Sequence, residues 1–171
     1  MEETLINRVA DSGLITINLE QYYPKAEIIS FDLKDYLFME LILKEKDFRE
    51  QLKAHDWKQY SGKNLAVYCS TDAIIPMWAY MLVAAYAAPE AAEVFQGDKE
   101  QFVAFAYARA LDELQLEQYE QKRIVIKGCS DLPVPAFAYL ELTKKLQAVA
   151  QSIMYGEPCS TVPIFKRPRV V

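Results

Sequence analysis

Cysteine occurs three times in this chain, at Cys69, Cys129 and Cys159, and each is followed by a serine, at Ser70, Ser130 and Ser160. The chain holds only seven serines, so three Cys-Ser pairs exceed what composition alone would supply. Two of the pairs open a longer internal echo. Asp72-Ala-Ile-Ile-Pro76-Met-Trp78-Ala79-Tyr80 matches Asp131-Leu-Pro-Val-Pro135-Ala-Phe137-Ala138-Tyr139, 59 residues further on. Thiolates are soft metal ligands and strong nucleophiles, and a helix N-terminus stabilises their charge. The first chemistry this pattern suggests is ligation of zinc or an iron–sulfur cluster by Cys69, Cys129 and Cys159. Three thiolates leave a fourth position for Asp72, Asp131 or an outside group, with Ser70 and Ser130 beside it. A second reading is a thiol enzyme in which Cys129, following Gly128, is the nucleophile and another cysteine resolves. A third takes the cysteines as inert core residues of a homodimeric interaction protein. The chain contains no Cys-x-x-Cys and no His-x-x-x-His motif. Asp72 and Asp131 also suit helix capping or an Asx-turn.

The elements that would position these residues follow from local pattern. The apolar runs Leu65–Cys69 and Arg123–Gly128 read as strands, each ending at a Cys-Ser pair. Pro76–Ala88 is predicted as a helix, apolar nearly all round and therefore deeply buried. Val94-Phe95 is a short strand, Asp98 a candidate N-cap, and Lys99–Leu114 a helix. Pro135–Met154 is expected to be one long amphipathic helix closed by Gly156 as its C-cap. Upstream, 14–18 and 26–31 alternate as short strands, and Glu45–Ala54 is a helix with Phe48 and Leu52 on one face. The matched aromatics Trp78 with Phe137, and Tyr80 with Tyr139, fit paired core contacts.

This β-α-β-α-β-α series predicts a three-layer α/β fold, with a mostly parallel sheet, helices on both faces and the N-terminal strands at the edge. It would be one domain over residues 1–171, with its core unit at 64–155 and a tail at 156–171. Right-handed crossovers put strand-to-helix loops at one end of a parallel sheet. If the two Cys-Ser strands are neighbours, about 4.8 Å apart, their sulfurs fall within about 8 Å of each other at the switch point. The segment 157–163 would fold back and add Cys159. His55 precedes the first of these strands and is expected at its far end, away from Cys69.

Composition narrows the class. With 171 residues, 52% apolar and 25% charged, the chain can bury a substantial core. A formal charge of −5 argues against general nucleic-acid binding. The one basic cluster, Lys166-Arg167-Pro168-Arg169, reads as a solvated tail. The first residues lack the basic and apolar regions of a secretory signal. The longest apolar stretch is alanine-rich and short for a membrane span. An odd, small number of cysteines suits a reducing compartment, so the expected location is the cytoplasm.

Lys127-Gly-Cys-Ser-Asp131, Pro133-Val-Pro135, Ser152-Ile-Met-Tyr-Gly156 and Glu157-Pro-Cys-Ser-Thr-Val-Pro163 together resemble a bacterial family known as domain of unknown function 2480. His55-Asp-Trp57 and the stretch 7–13 share the likeness, which runs nearly end to end. The resemblance brings no established activity and no assigned catalytic residues. It implies an association with iron–sulfur assembly proteins as partners.

Overall fold

The structure is a computed structural model, and it describes residues 13–128, 130–157 and 159–168. In chain order the elements are β1 (Leu14–Ile17), β2 (Ile28–Asp32), α1 (Glu45–Ala54), β3 (Asn64–Tyr68), α2 (Met77–Ala87), β4 (Glu93–Gln96), α3 (Lys99–Asp112), β5 (Arg123–Ile126), α4 (Ala136–Gln147), β6 (Ser152–Glu157) and β7 (Ser160–Lys166). The protein is α/β, as its alternating pattern predicts. Its strands form two sheets rather than one, in the orders β2-β3-β4 and β1-β5-β6-β7. The chain groups into two compact units, Pro24–Phe105 and the residues on either side of it.

The Pro24–Phe105 unit is a wholly parallel β-α-β-α-β arrangement. Its central strand β3 carries a continuous apolar run and is buried over Asn64–Val67, as a strand flanked on both sides should be. In α1, Phe48 and Leu52 lie one turn apart and are fully buried, while Arg49 and Glu45 pair at 2.9 Å on the wet side. Phe48 and Leu52 join Phe31, Leu65, Val67, Ala79, Val83 and Ala87 in one apolar core. At the start of α3, Asp98 Oδ1 accepts from the Gln101 backbone N–H and Gln101 Oε1 from that of Asp98, both at 2.9 Å. This is a capping box, so the N-cap read from Asp98 holds.

The other unit pairs β1, β5 and β6 in parallel and adds β7 antiparallel to β6. Here several expectations are corrected. The helix predicted to run to Met154 ends at Gln147, because Ser152–Tyr155 pair in parallel with Arg123–Ile126 and bury Ile153 in the sheet. The apolar spacing that suggested one helix is shared between helix and strand. Gly156 is therefore no helix cap. It sits in β6 with φ of 126°. The segment read as a folding-back tail is the outer strand of this hairpin, and Pro163 is tolerated there because the strand is at an edge. Arg167 belongs to no solvated tail either. Its guanidinium donates to the carbonyls of Gln147, Ala148 and Ala150 at 2.8–3.1 Å, closing the C-terminus of α4.

The two units repeat one plan. β2-β3-α2-β4 and β1-β5-α4-β6 have the same strand order, and the offset of 59 seen in the short echo runs much further. Asn64 faces Glu93 in the first sheet as Arg123 faces Ser152 in the second. The fully buried helix positions Ala79, Val83 and Ala87 correspond to Ala138, Leu142 and Leu146. Pro76 and Pro135 hold the same extended conformation before their helices, and Gly97 and Gly156 both have positive φ.

Candidate functional site

In each unit the loop leaving the central strand is held by a carboxylate at the end of the neighbouring N-terminal strand (Asp32 in β2) or in the turn just after it (Glu20 after β1). After β3, the Ser70 backbone N–H donates to Asp32 Oδ1 at 3.0 Å, and the same oxygen accepts from Lys34 N–H at 2.9 Å. Burial would raise the Asp32 pKa, but hydrogen bonds from Ser70 and Lys34 outweigh it and leave the group below its ordinary value. Cys69 is half-buried in this loop, its Sγ 3.3 Å from Thr71 Oγ1. After β5, Glu20 Oε1 accepts from the Leu132 backbone N–H at 2.8 Å and also from that of Asp131. The Leu132 bond, then the Asn18 amide at 3.2 Å, hold the Glu20 carboxyl below its ordinary range. Tyr155 donates to the Gly128 carbonyl at 3.2 Å, and Ser130 Oγ lies 3.4 Å from the Tyr139 hydroxyl. The loops are thus built as matched, latched turns.

The Glu20 latch has a definite pH signature. Its carboxyl is depressed in the folded state, so its contribution is present above the unfolded value of 4.5 and is lost as pH falls through the lower folded value. In urea unfolding, wild type should exceed Glu20→Gln in stability near neutral pH, and the gap should close below pH 4.5. A gap that is unchanged down to pH 3 would show that the charge on Glu20 contributes nothing to the latch (about 1.5 units below the unfolded value).

The predicted cysteine site is not formed as expected. Cys69 follows β3 and Cys129 follows β5, and these strands lie in different sheets, so the adjacency that would bring the two sulfurs together is missing. Cys129 itself lies outside the described residues. Cys159 is exposed in the turn between β6 and β7. Among the described residues no group of three or more His, Cys, Asp or Glu side chains could hold a metal ion. The reading as a zinc- or iron–sulfur-binding protein through Cys69, Cys129 and Cys159 is therefore overturned. Asp72 and Asp131 do not cap the helices after them, since Pro76 and Pro135 occupy those N-caps without a side-chain bond. Asp72 instead lines an apolar pocket. His55 is packed, its ring nitrogens near the hydroxyls of Tyr36 at 3.3 Å and Tyr60 at 2.9 Å and its face stacked on Tyr60. Burial lowers its pKa.

Residues that the motifs do not flag form a different surface on the Pro24–Phe105 unit. Helix α2 is not buried all round: Met77 and Met81 are 71% and 70% exposed, and Ile74 just before it is 93% exposed. Beside them Phe38–Ile42 forms a hairpin with three residues between Phe38 and Ile42, which are paired by two backbone bonds. Within it Met39 and Glu40, with φ of 51° and 58°, are the central pair of a turn closed by the Leu41 N–H donating to the Phe38 carbonyl at 3.1 Å. Such turns are normally filled by Asn-Gly, because a side chain with positive φ costs on the order of 1 kcal/mol or more. Here the strained backbone presents Met39, 77% exposed, to solvent. A pocket of about 440 Å³ lies between Leu41, Ile42 and Leu43 at the end of the hairpin and Asp72, Ala73, Ile74 and Pro76 at the foot of α2. The signal for this surface was in the sequence: Met77–Ala87 contains no charged residue, whereas its counterpart α4 carries Glu141, Lys144 and Lys145. Among the described residues no helix is long and apolar enough to cross a membrane.

No curated protein and no solved structure matches the chain. One family model does, described as protein of unknown function (DUF2480) and spanning residues 3–167, nearly the whole length over which the motifs resembled it, and the chain belongs to that family.

Proposed function

We propose that this protein works by binding another protein through the apolar face formed by α2 and the Phe38–Ile42 hairpin. The observation that carries the reading is the comparison of the two matched helices. Both α2 and α4 bury the same three positions. On the exposed side of α4, Lys144 stands where α2 has Ala85, beside Leu140 in the place of Met81, so the fold itself does not require the outer face of α2 to be free of charge. An apolar face that folding does not use, bordered by a hairpin with an unfavourable backbone, marks a surface kept for contact. A lipid surface is a poorer match, because the rim carries Glu40 and Asp72 beside Lys34 and Lys44 and the chain is acidic overall.

The test is site-specific photo-cross-linking in cells with Met81→p-benzoylphenylalanine, using Lys58→p-benzoylphenylalanine as an exposed control in the same unit. One discrete adduct from position 81, identified by mass spectrometry and absent from position 58, is expected. No adduct from position 81, or the same adducts from both positions, would sink the binding reading.

A further inference from the structure

We propose that the partner at this face is a second copy of the same chain, docked α2 against α2 about a two-fold axis. This rests on the reading of the α2 face as a binding surface and adds the identity of what covers it. Three features favour self-association. The first is shape. A two-fold interface must be complementary to itself, so each copy needs both a projection and the recess that receives it. The projecting Met39 turn and the pocket formed by Leu41, Ile42, Leu43, Ile74 and Pro76 lie side by side on one surface, as that symmetry requires.

The second is charge. Residues Met77–Ala87 carry no ionisable group except the Tyr80 and Tyr86 phenols, so two α2 helices meet across an axis without repulsion. The rim offers both signs. Lys34 already reaches Glu40 at 3.9 Å, and Lys44 sits 3.3 Å over the Phe38 ring. Acidic and basic groups off the axis can therefore exchange partners between copies.

The third is area. Met39, Leu41, Ile42, Ile74, Met77 and Met81 are each more than half exposed. Six large apolar side chains together approach the ~800 Å² per partner of a standard specific interface. Small residues along this side, the half-buried Ala84 and exposed Ala85 on α2 and Ala88 at its C-cap, let two helix backbones come close beyond the methionines.

The experiment is sedimentation equilibrium of the full chain with a charge swap at Met81, an exposed position whose substitution leaves the core intact. Wild type should be a dimer with a dissociation constant in the micromolar range or tighter. Met81→Glu alone and Met81→Lys alone should each weaken association at least about tenfold, because like charges meet near the axis. Mixing the two variants should restore dimers that contain one copy of each. Circular dichroism melts would confirm that both variants fold. A monomeric wild type would overturn the inference, as would variants that dimerise as well as wild type or a mixture that fails to recover. A monomeric wild type that still gives a discrete adduct with another protein from position 81 would leave the binding reading standing. A monomeric wild type with no adduct would remove both.

Discussion

Gly156→Ala should destabilise the protein by about 3 kcal/mol or more, read as a fall in the urea midpoint at unchanged slope. The residue sits in β6 with φ of 126°, where a side chain is strained even in open space. The space is also closed. A Cβ there would come within 2.5 Å of the Ser160 carbonyl oxygen, and that oxygen belongs to the partner strand β7. Relief requires prising the hairpin apart, which would loosen the strand leading to Arg167 and its grip on the end of α4. Gly97 is the matching position and gives a graded control. A Cβ there meets Phe95 and Gln101 at 2.6 and 2.7 Å, but these are side-chain atoms that can rotate away. Gly97→Ala should therefore cost less than Gly156→Ala. If the two cost the same, the Ser160 contact is not the source of the effect.

The second large effect is expected in the shared helix core. Leu142→Ala should cost about 2–5 kcal/mol, the range for emptying a buried leucine site whose surroundings relax only in part. Leu142 is fully buried on α4, and its counterpart on α2 is Val83, also fully buried. Val83→Ala removes one methylene fewer, so its cost should be smaller by about 1 kcal/mol. Thermal melts of the two single variants give the comparison directly. A larger loss at Val83 than at Leu142 would show that the two positions are not packed alike, and the matched-core account would fail.

The internal echo is the most legible part of this chain, and it shows only a fraction of the repeat. Asp-x-x-x-Pro-x-aromatic-Ala-Tyr exposed the offset of 59 because those residues are identical or nearly so. The rest of the repeat matches only in kind, Val83 with Leu142 and Glu93 with Ser152, so it emerges only when burial and strand register are known. The number of sheets was not readable from local pattern. A buried strand of four or five residues looks the same whichever strands flank it, and β1 finds β5 through contacts distant in sequence. The assumption of a single sheet then put Cys69 and Cys129 side by side. The cysteines drew the reading toward metal chemistry because their residue type is distinctive. The latches at Asp32 and Glu20 went unseen because acidic residues are common and their partners are backbone N–H groups far along the chain. The exposure of the α2 face is hidden in the sequence for a different reason. An uncharged helix suggests burial, and the sequence does not say whether its own fold or another molecule provides the cover.

The pairing of β1 with β5 also sets an order of events at the ribosome. Leu14 and Arg123 are register partners although about 110 residues separate them, and the Pro24–Phe105 unit is contained entirely between them. That middle unit can complete its sheet while its flanking strand waits without a mate, since β5 and β6 have not yet been made. A nascent chain stalled shortly after Phe105 clears the exit tunnel would hold a finished insert on an unfinished host. Until β5 has emerged, β1 remains an unpaired strand that is open to capture by a chaperone or by a neighbouring nascent chain.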